Sequence, residues 1–369
     1  MRTISIALPV LCVLLVAASA LSSAQERGAP PSATVVVDND GTVHVPAIDV
    51  PQSSFLSPEA KAYVTQHLKD MQNPEQVAQV DGVPRFMKTY IDRQRILYPV
   101  DREDTKIAGV HANVYTPKGG AANSRRVLIN LHGGGFSGCW PACAELESIP
   151  IASLAKTRVI SLDYRQGPQH KFPAASEDVA AVYTELLKTH SAQDIGIYGC
   201  SAGGMLTAMS VTWFQQHKLP RPGAIGILCS GAGSPTGAGF GGDAPYMTAA
   251  IGEGRGAPPL PRAGARQSAG GGLGYLAGTD PNDPLVAPIN SAAAMAKFPP
   301  TLIVTATRGF EMSGAVYTHN QLVKRGVDAE LHVWDGLFHG FFYNPDVPES
   351  RDCYDIIVKF FERRLGGRR

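Results

Sequence analysis

Ser201 stands in Gly199-Cys200-Ser201-Ala202-Gly203, a G-x-S-x-G arrangement. A free serine hydroxyl is scarcely ionised near neutral pH, so it attacks a carbonyl only if a base takes its proton. Glycines on both sides let the chain turn sharply and leave the hydroxyl exposed. A helix starting at the turn would favour negative charge on a tetrahedral intermediate. His339, in Gly336-Leu337-Phe338-His339-Gly340-Phe341, follows far downstream. A neutral imidazole there can accept the serine proton and return it to a departing alkoxide. The run His132-Gly133-Gly134-Gly135-Phe136 supplies the third component. Consecutive glycines can turn backbone N–H groups toward a ligand without Cβ clashes, and two such amides with that of Ala202 would hold an oxyanion. A phosphate cradle is not expected, because GxxxxGK[ST] is absent and no lysine follows the glycines. His132 is expected to brace this loop. His170, His190 and His319 fall on loop or helix positions without such context and read as solvent-facing or packing residues.

These groups need rigid elements behind them. From Lys106 onward the patterning alternates between strands and helices. Strands are expected over 107–115, 126–131, 158–164, 194–200, 224–230, 301–307 and 329–334. Helices are expected over 178–187, 202–217, 314–325 and 349–365. Such alternation predicts an α/β fold with a mostly parallel central sheet and helices on both faces. Ser201 then falls between a strand and a helix, and the glycine loop and His339 each follow a strand. Upstream, Ser57-Pro58 reads as the cap and first turn of a helix, and a second helix is expected over 84–98. The two are read as a lid. Residues 231–299 are rich in Gly, Pro and Ala and interrupt the rhythm, as an excursion covering a ligand site would.

The 369 residues suffice for one catalytic domain with an appendage, and 44% of them are apolar. A net charge of +1, from 33 basic and 32 acidic residues, gives no broad attraction to nucleic acid or anionic membranes. Arg2, the apolar run from Ile4 to Leu21 and the small residues Ser22-Ser23-Ala24 read as an export signal cleaved after Ala24. A transmembrane anchor is the less favoured reading, because no basic flank follows the run at once. The expected divisions are therefore 1–24 as signal, 25–104 as leader and cap helices, and 105–369 as the catalytic domain with its excursion at about 231–299. The mature chain would be secreted or periplasmic, without stable membrane association. Of the cysteines left after cleavage, Cys139 and Cys143 could pair locally, or remain as buried apolar thiols. No metal site is expected, since CxxxC lacks further ligands.

Taken together these stretches resemble the bacterial hormone-sensitive-lipase-like esterases of the α/β-hydrolase superfamily. The likeness is carried by His132 to Gly135, Asp163-Tyr164-Arg165, Phe172-Pro173-Ala174-Ala175, Gly199 to Gly204, Asp283-Pro284-Leu285 and His339-Gly340-Phe341. It implies a core of about eight strands, a helical cap, no cofactor and a preference for esters with short to medium acyl chains. It also implies that Gly134 and Gly135 share the oxyanion hole with Ala202. One segment departs from the pattern. The family places an acid just after the strand ending near Thr307, where this chain reads Ala306-Thr307-Arg308-Gly309-Phe310-Glu311-Met312. Gly309 occupies the acid position. Glu311, with one more methylene of reach than Asp, is the preferred partner for His339. Asp335 is the second candidate, and a relay without an acid is the third. The expected activity is a secreted carboxylesterase acting through a serine acyl-enzyme on small esters, and a homodimer is among the assemblies expected. A lactonase, thioesterase or amidase would use the same machinery, and a non-catalytic ligand-binding relative is the rival class.

Overall fold

The computed structural model describes residues 34–122, 125–233, 242–253 and 274–366. The expected export signal lies outside the described residues, as do 234–241 and 254–273 of the Gly-rich excursion. Residues up to Pro51 form a separate unit, whose described part carries a small hairpin, Val36–Val37 with Val43–His44.

The remainder is organised by one sheet of eight strands. In chain order these are β1 (Val100–Ile107), β2 (Val110–Pro117), β3 (Val127–Leu131), β4 (Arg158–Leu162), β5 (Ile195–Cys200), β6 (Ala224–Leu228), β7 (Thr301–Arg308) and β8 (Ala329–Phe338). Their order across the sheet is β1-β2-β4-β3-β5-β6-β7-β8. The β1–β2 and β2–β4 pairs are antiparallel and all the others parallel. The central strands are apolar at nearly every position because both faces are covered. Val127, Ile129 and Leu131 of β3 pack into one core with Ile195 and Ile197 of β5. Leu128, Tyr198 and Cys200 pack into the other. This is the two-residue period of a strand, sending successive side chains to opposite faces.

The covering helices are α1 (Pro58–Met71), α2 (Arg85–Leu97), α3 (Ala142–Ala155), α4 (Ala174–Leu186), α5 (Ala202–Gln216), α6 (Met312–Val323) and α7 (Pro348–Arg364). Helices α4 and α5 supply Val179, Val182, Leu206 and Met209 to the first core, and α7 supplies Cys353, Ile357 and Phe361 to the second. Ser57 caps α1, its hydroxyl accepting from Ala60 N–H at 3.0 Å, as the Ser-Pro pair suggests. The described parts of the excursion contain a seven-residue helix, Ala244–Ala250, and a single turn, Ala292–Met295.

The helix Ala142–Ala155 is not among those expected, and two strand boundaries differ most from the patterning. The sheet takes in Val100–Ile107, which precedes the first expected strand. Its interior, Asp101-Arg102-Glu103-Asp104, is exposed and charged because β1 is an edge strand, where charge blocks pairing with other chains. Strand β8 runs on to Phe338, through Gly336 at φ +72° and opposite a register shift between Ala306 and Arg308.

Candidate active site

Ser201 joins β5 to α5 with φ 57° and ψ −121°. A non-glycine residue held there carries strain of about 1–3 kcal/mol, which packing must overcome. Two contacts over-determine the turn. The Ser201 N–H donates to Leu228 O at 2.9 Å. Helix α5 also begins so close to the end of β3 that a Cβ on Gly203 would lie 1.6 Å from Leu131 O. Ala202 opens α5, where first-turn N–H groups have no intrahelical acceptor and the dipole is positive.

The glycine loop follows β3. Gly134 has φ +113° and Gly135 φ +65°, and buried Phe136 stacks on Tyr275 with ring centroids 4.9 Å apart. A disulfide joins Cys139 to Cys143 beside this turn, and Cys200, Cys229 and Cys353 are free and buried. Of the two readings left open for Cys139 and Cys143, the local pair is the one found. His132 braces the loop from below. It is buried, its Nδ1–H donates to Gly133 O at 2.6 Å, and its ring stacks on Tyr164. Burial drives its pKa down to about 4, outweighing the Gly133 carbonyl, so the ring stays neutral.

His339 comes directly after β8. Its Nδ1–H donates to Glu311 Oε2 at 2.9 Å, and its ring stacks on Phe310. Glu311 is fully buried at the mouth of α6, where its other oxygen accepts from Thr305 Oγ1 at 3.0 Å. A Cβ built on Gly309 would lie only 2.4 Å from Glu311 Oε1. The glutamate therefore folds back into the space that a side chain at 309 would enter. Asp335, the other candidate, accepts from Thr307 Oγ1 at 3.2 Å. Asp283 accepts from Leu285 N–H at 2.9 Å within its own turn. Burial lowers the His339 pKa, but the charge and hydrogen bond of Glu311 outweigh it and raise the value to about 9.

The end of β6 connects the elbow to the histidine loop. Leu228 is register partner to Cys200 and accepts from Ser201 N–H. The next residue, Cys229, accepts from Gly340 N–H at 3.3 Å through its sulfur. Ser201 and Gly340, the residue after His339, are thus tied to consecutive residues, 228 and 229. Helix α1 closes on the same place from outside. His67 stacks on Phe338 at 3.5 Å and meets Glu253 Oε2 at 2.9 Å through Nε2.

Sequence reasoning missed Cys229, Glu147 and Tyr343. The Glu147 carboxylate accepts from Gly133 N–H and Cys200 N–H, and Tyr343 OH donates to it. Acids inside the apolar run Ala142–Ala155, Glu145 and Glu147, were the available signal. One potential metal-ligand set is found among the described residues: donor atoms of Cys229, Glu311 and His339 lie within 4.8 Å of one another. Both Glu311 oxygens and His339 Nδ1 are already engaged in the hydrogen bonds above, so an ion there would have to break them.

Comparison with known proteins agrees with this layout. The family described as the alpha/beta hydrolase fold matches residues 128–343. An acetyl-hydrolase of Streptomyces hygroscopicus is 27% identical over 257 residues, covering 67% of this chain and 78% of its own length. Three further curated relatives match over 36% to 41% of their own length. The crystal structure of an esterase superposes with a TM-score of 0.68 at 26% identity, covering 88% of this chain and 99% of that one. An esterase from the bacterial hormone-sensitive lipase family gives 0.68 at 25% identity over 84% and 99%.

Proposed function

Since the chain belongs to the α/β-hydrolase family, among the bacterial hormone-sensitive-lipase-like esterases, we propose that it hydrolyses small carboxylic esters through an acyl-enzyme on Ser201. One observation carries this reading: His339, whose neighbour Gly340 is held at the end of β6 as Ser201 is, has a buried carboxylate on its Nδ1. Nδ1–H in the hydrogen bond leaves Nε2 as the basic nitrogen of the neutral ring. Ser201 Oγ attacks the ester carbonyl as Nε2 takes its proton. The N–H groups of Gly134, Gly135 and Ala202 stabilise the oxyanion. Collapse expels the alcohol, which takes the proton from Nε2 and leaves the acyl group on Ser201. Water then attacks, again giving its proton to Nε2, and the acid leaves as Ser201 recovers its hydrogen. Glu311 orients the ring and stabilises its cation. Gly309 at the acid position, taken alone, would favour a non-catalytic binder; the Glu311–His339 hydrogen bond supports the catalytic reading instead.

The preferred substrates are esters with short to medium acyl chains, and the chain works outside the cytoplasm. Support for export comes from the apolar N-terminal run together with the Cys139–Cys143 disulfide, a bond that persists in oxidising compartments. The test is a series of p-nitrophenyl esters from acetyl to palmitoyl. Acetyl and butyryl esters should give a burst of one p-nitrophenol per active chain and turn over at least roughly tenfold faster than palmitoyl. An organophosphate should add its mass to the peptide carrying Ser201. No turnover on any ester, or an adduct elsewhere with Ser201 untouched, would refute the reading.

The oxyanion assignment has its own test. A Cβ on Gly134 would lie 2.3 Å from Gly138 O and 2.6 Å from Cys139 Cβ, and the disulfide stops Cys139 from withdrawing. Gly134→Ala must therefore move the turn. The expected loss in kcat is about 10²-fold, the scale of one lost oxyanion donor, with ester KM little changed. A variant within threefold of the parent would remove Gly134 from the oxyanion hole.

A further inference from the structure

We propose that Glu147, a buried residue of α3, is the positioning residue that locks the glycine loop, the serine elbow and the histidine loop into one arrangement, and that it does so as a carboxylate. This rests on the esterase reading of the site, since it is those loops that Glu147 holds.

The geometry is specific. Oε1 accepts from Gly133 N–H at 2.8 Å and from Tyr343 OH at 2.9 Å. Oε2 accepts from Asn130 Nδ2 at 2.9 Å and from Cys200 N–H at 3.1 Å. Gly133 precedes the two proposed oxyanion glycines, Cys200 precedes Ser201, and Tyr343 lies four residues beyond His339. One side chain thus reaches all three loops. Glu147 is 2% exposed, and all four donors are uncharged. An ionised carboxylate has four good acceptor positions, two on each oxygen, and each is used. A protonated carboxyl would turn an O–H toward a donor, and a glutamine would turn an NH2 toward two of them. Either change puts a hydrogen where one of the four donors now finds a lone pair; the Tyr343 hydroxyl can turn to accept it, but the N–H groups of Gly133, Asn130 and Cys200 cannot.

Carrying a charge in this place opposes its solvation. Burial pushes the Glu147 pKa up, and the four hydrogen bonds recover only part of the shift, leaving it at about 7. The ionisable groups that interact with it are Tyr164, Tyr198, Cys200 and Tyr343; Cys229 lies against Cys200, and His132 precedes Gly133. Burial holds Tyr164, Tyr198, Cys200 and Tyr343 well above their ordinary ranges and His132 down to about 4. The carboxylate therefore changes charge near neutrality while those five neighbours stay neutral. His339 loses its proton higher, near 9. Two groups must then shed protons for full activity, Glu147 first and His339 second.

The experiment is the pH dependence of kcat/KM for a short-chain ester from pH 5 to 10 on the full chain, with Glu147→Gln and Tyr343→Phe beside the parent. For the parent, log(kcat/KM) should rise with a slope of about two below pH 7 and about one between 7 and 9, as two ionisations then one remain incomplete. Glu147→Gln should lose about 10²-fold in kcat with KM within threefold, the scale of a misplaced oxyanion donor, and should show a slope of one throughout. Tyr343→Phe removes one donor to the anion and keeps the fold's aromatic packing. It should raise the lower break by roughly half a pH unit, which keeps the proposal testable if Glu147→Gln fails to fold. A single slope in the active parent, a glutamine variant within threefold of it, or an unmoved break in Tyr343→Phe would each overturn the proposal. A parent with no esterase activity would instead count against the esterase reading.

Discussion

Ser201→Ala should lower kcat on a short-chain ester by about 10⁵ to 10⁶-fold and leave the fold intact. The magnitude follows from the role. Without Oγ no acyl-enzyme forms, and what persists is the help that oxyanion donors and substrate binding give to direct attack by water. In proteases with the same logic that residue is about 10³ to 10⁴ over the uncatalysed rate. Folding should be almost unaffected, because alanine keeps the same Cβ and the same strained backbone at φ 57°. The elbow is held by the Ser201 N–H bond to Leu228 and by the close approach of Gly203 to Leu131, neither of which uses the hydroxyl. Thermal melting should stay within about 2 °C of the parent, as for a substitution that removes no buried contact. Stopped-flow release of p-nitrophenol should show neither burst nor steady rate above background. A variant keeping more than about 1% of kcat, far above the residue expected from those cases, would mean that Ser201 is not the nucleophile.

Much of the sheet was legible because its central strands are buried on both faces. Apolar runs such as Val127–Leu131, interrupted only by the buried Asn130, cannot be mistaken for loops. The strand that escaped notice, Val100–Ile107, is an edge strand whose charges face water, so the hydrophobic signal is missing where the backbone pairing is not. Glycine hid the last residues of β8 for a related reason. At Gly336 a turn-forming residue sits inside a strand that bends toward the histidine loop. The serine elbow and the glycine loop were legible since their chemistry needs glycine at fixed offsets from a strand end. The contacts of Glu147 were not. They join residues separated by up to 196 positions, and the two acids of this apolar helix, Glu145 and Glu147, do not announce which partners they will grip. The same holds for His67 and Glu253, which meet across 186 positions.

Glu311 lies between these cases, and its test can separate identity from mere proximity. Glu311→Gln should cost about 10³ to 10⁴-fold in kcat, or roughly 4–5.5 kcal/mol of barrier at 1.36 kcal/mol per tenfold. The amide keeps the size but not the charge that favours the imidazolium in both steps. It can also offer its NH2 to Nδ1, which would put the ring in the wrong tautomer. Losing that anion should bring the upper limb of the pH profile down from about 9, since the charge and hydrogen bond of Glu311 are what hold the His339 pKa up. Asp335→Asn should stay within about twofold, because Asp335 is engaged with Thr307 on the strand side of the turn, and exposed substitutions of this kind act weakly. The sharper test uses the space at Gly309. A Cβ there would lie 2.4 Å from Glu311 Oε1, so Gly309→Asp alone should be as damaging as the loss of the acid. In Gly309→Asp/Glu311→Ala the carboxylate would enter the same volume from two residues upstream, and at least about tenfold of the activity lost in Glu311→Ala should return, the non-additivity expected of neighbours sharing one site. If the double variant is no better than Glu311→Ala, then Glu311 acts through more than the placement of a charge on Nδ1. If Glu311→Gln itself is nearly as active as the parent, the relay is a serine and a histidine alone. In that case the buried Glu311–His339 contact would be a feature of packing.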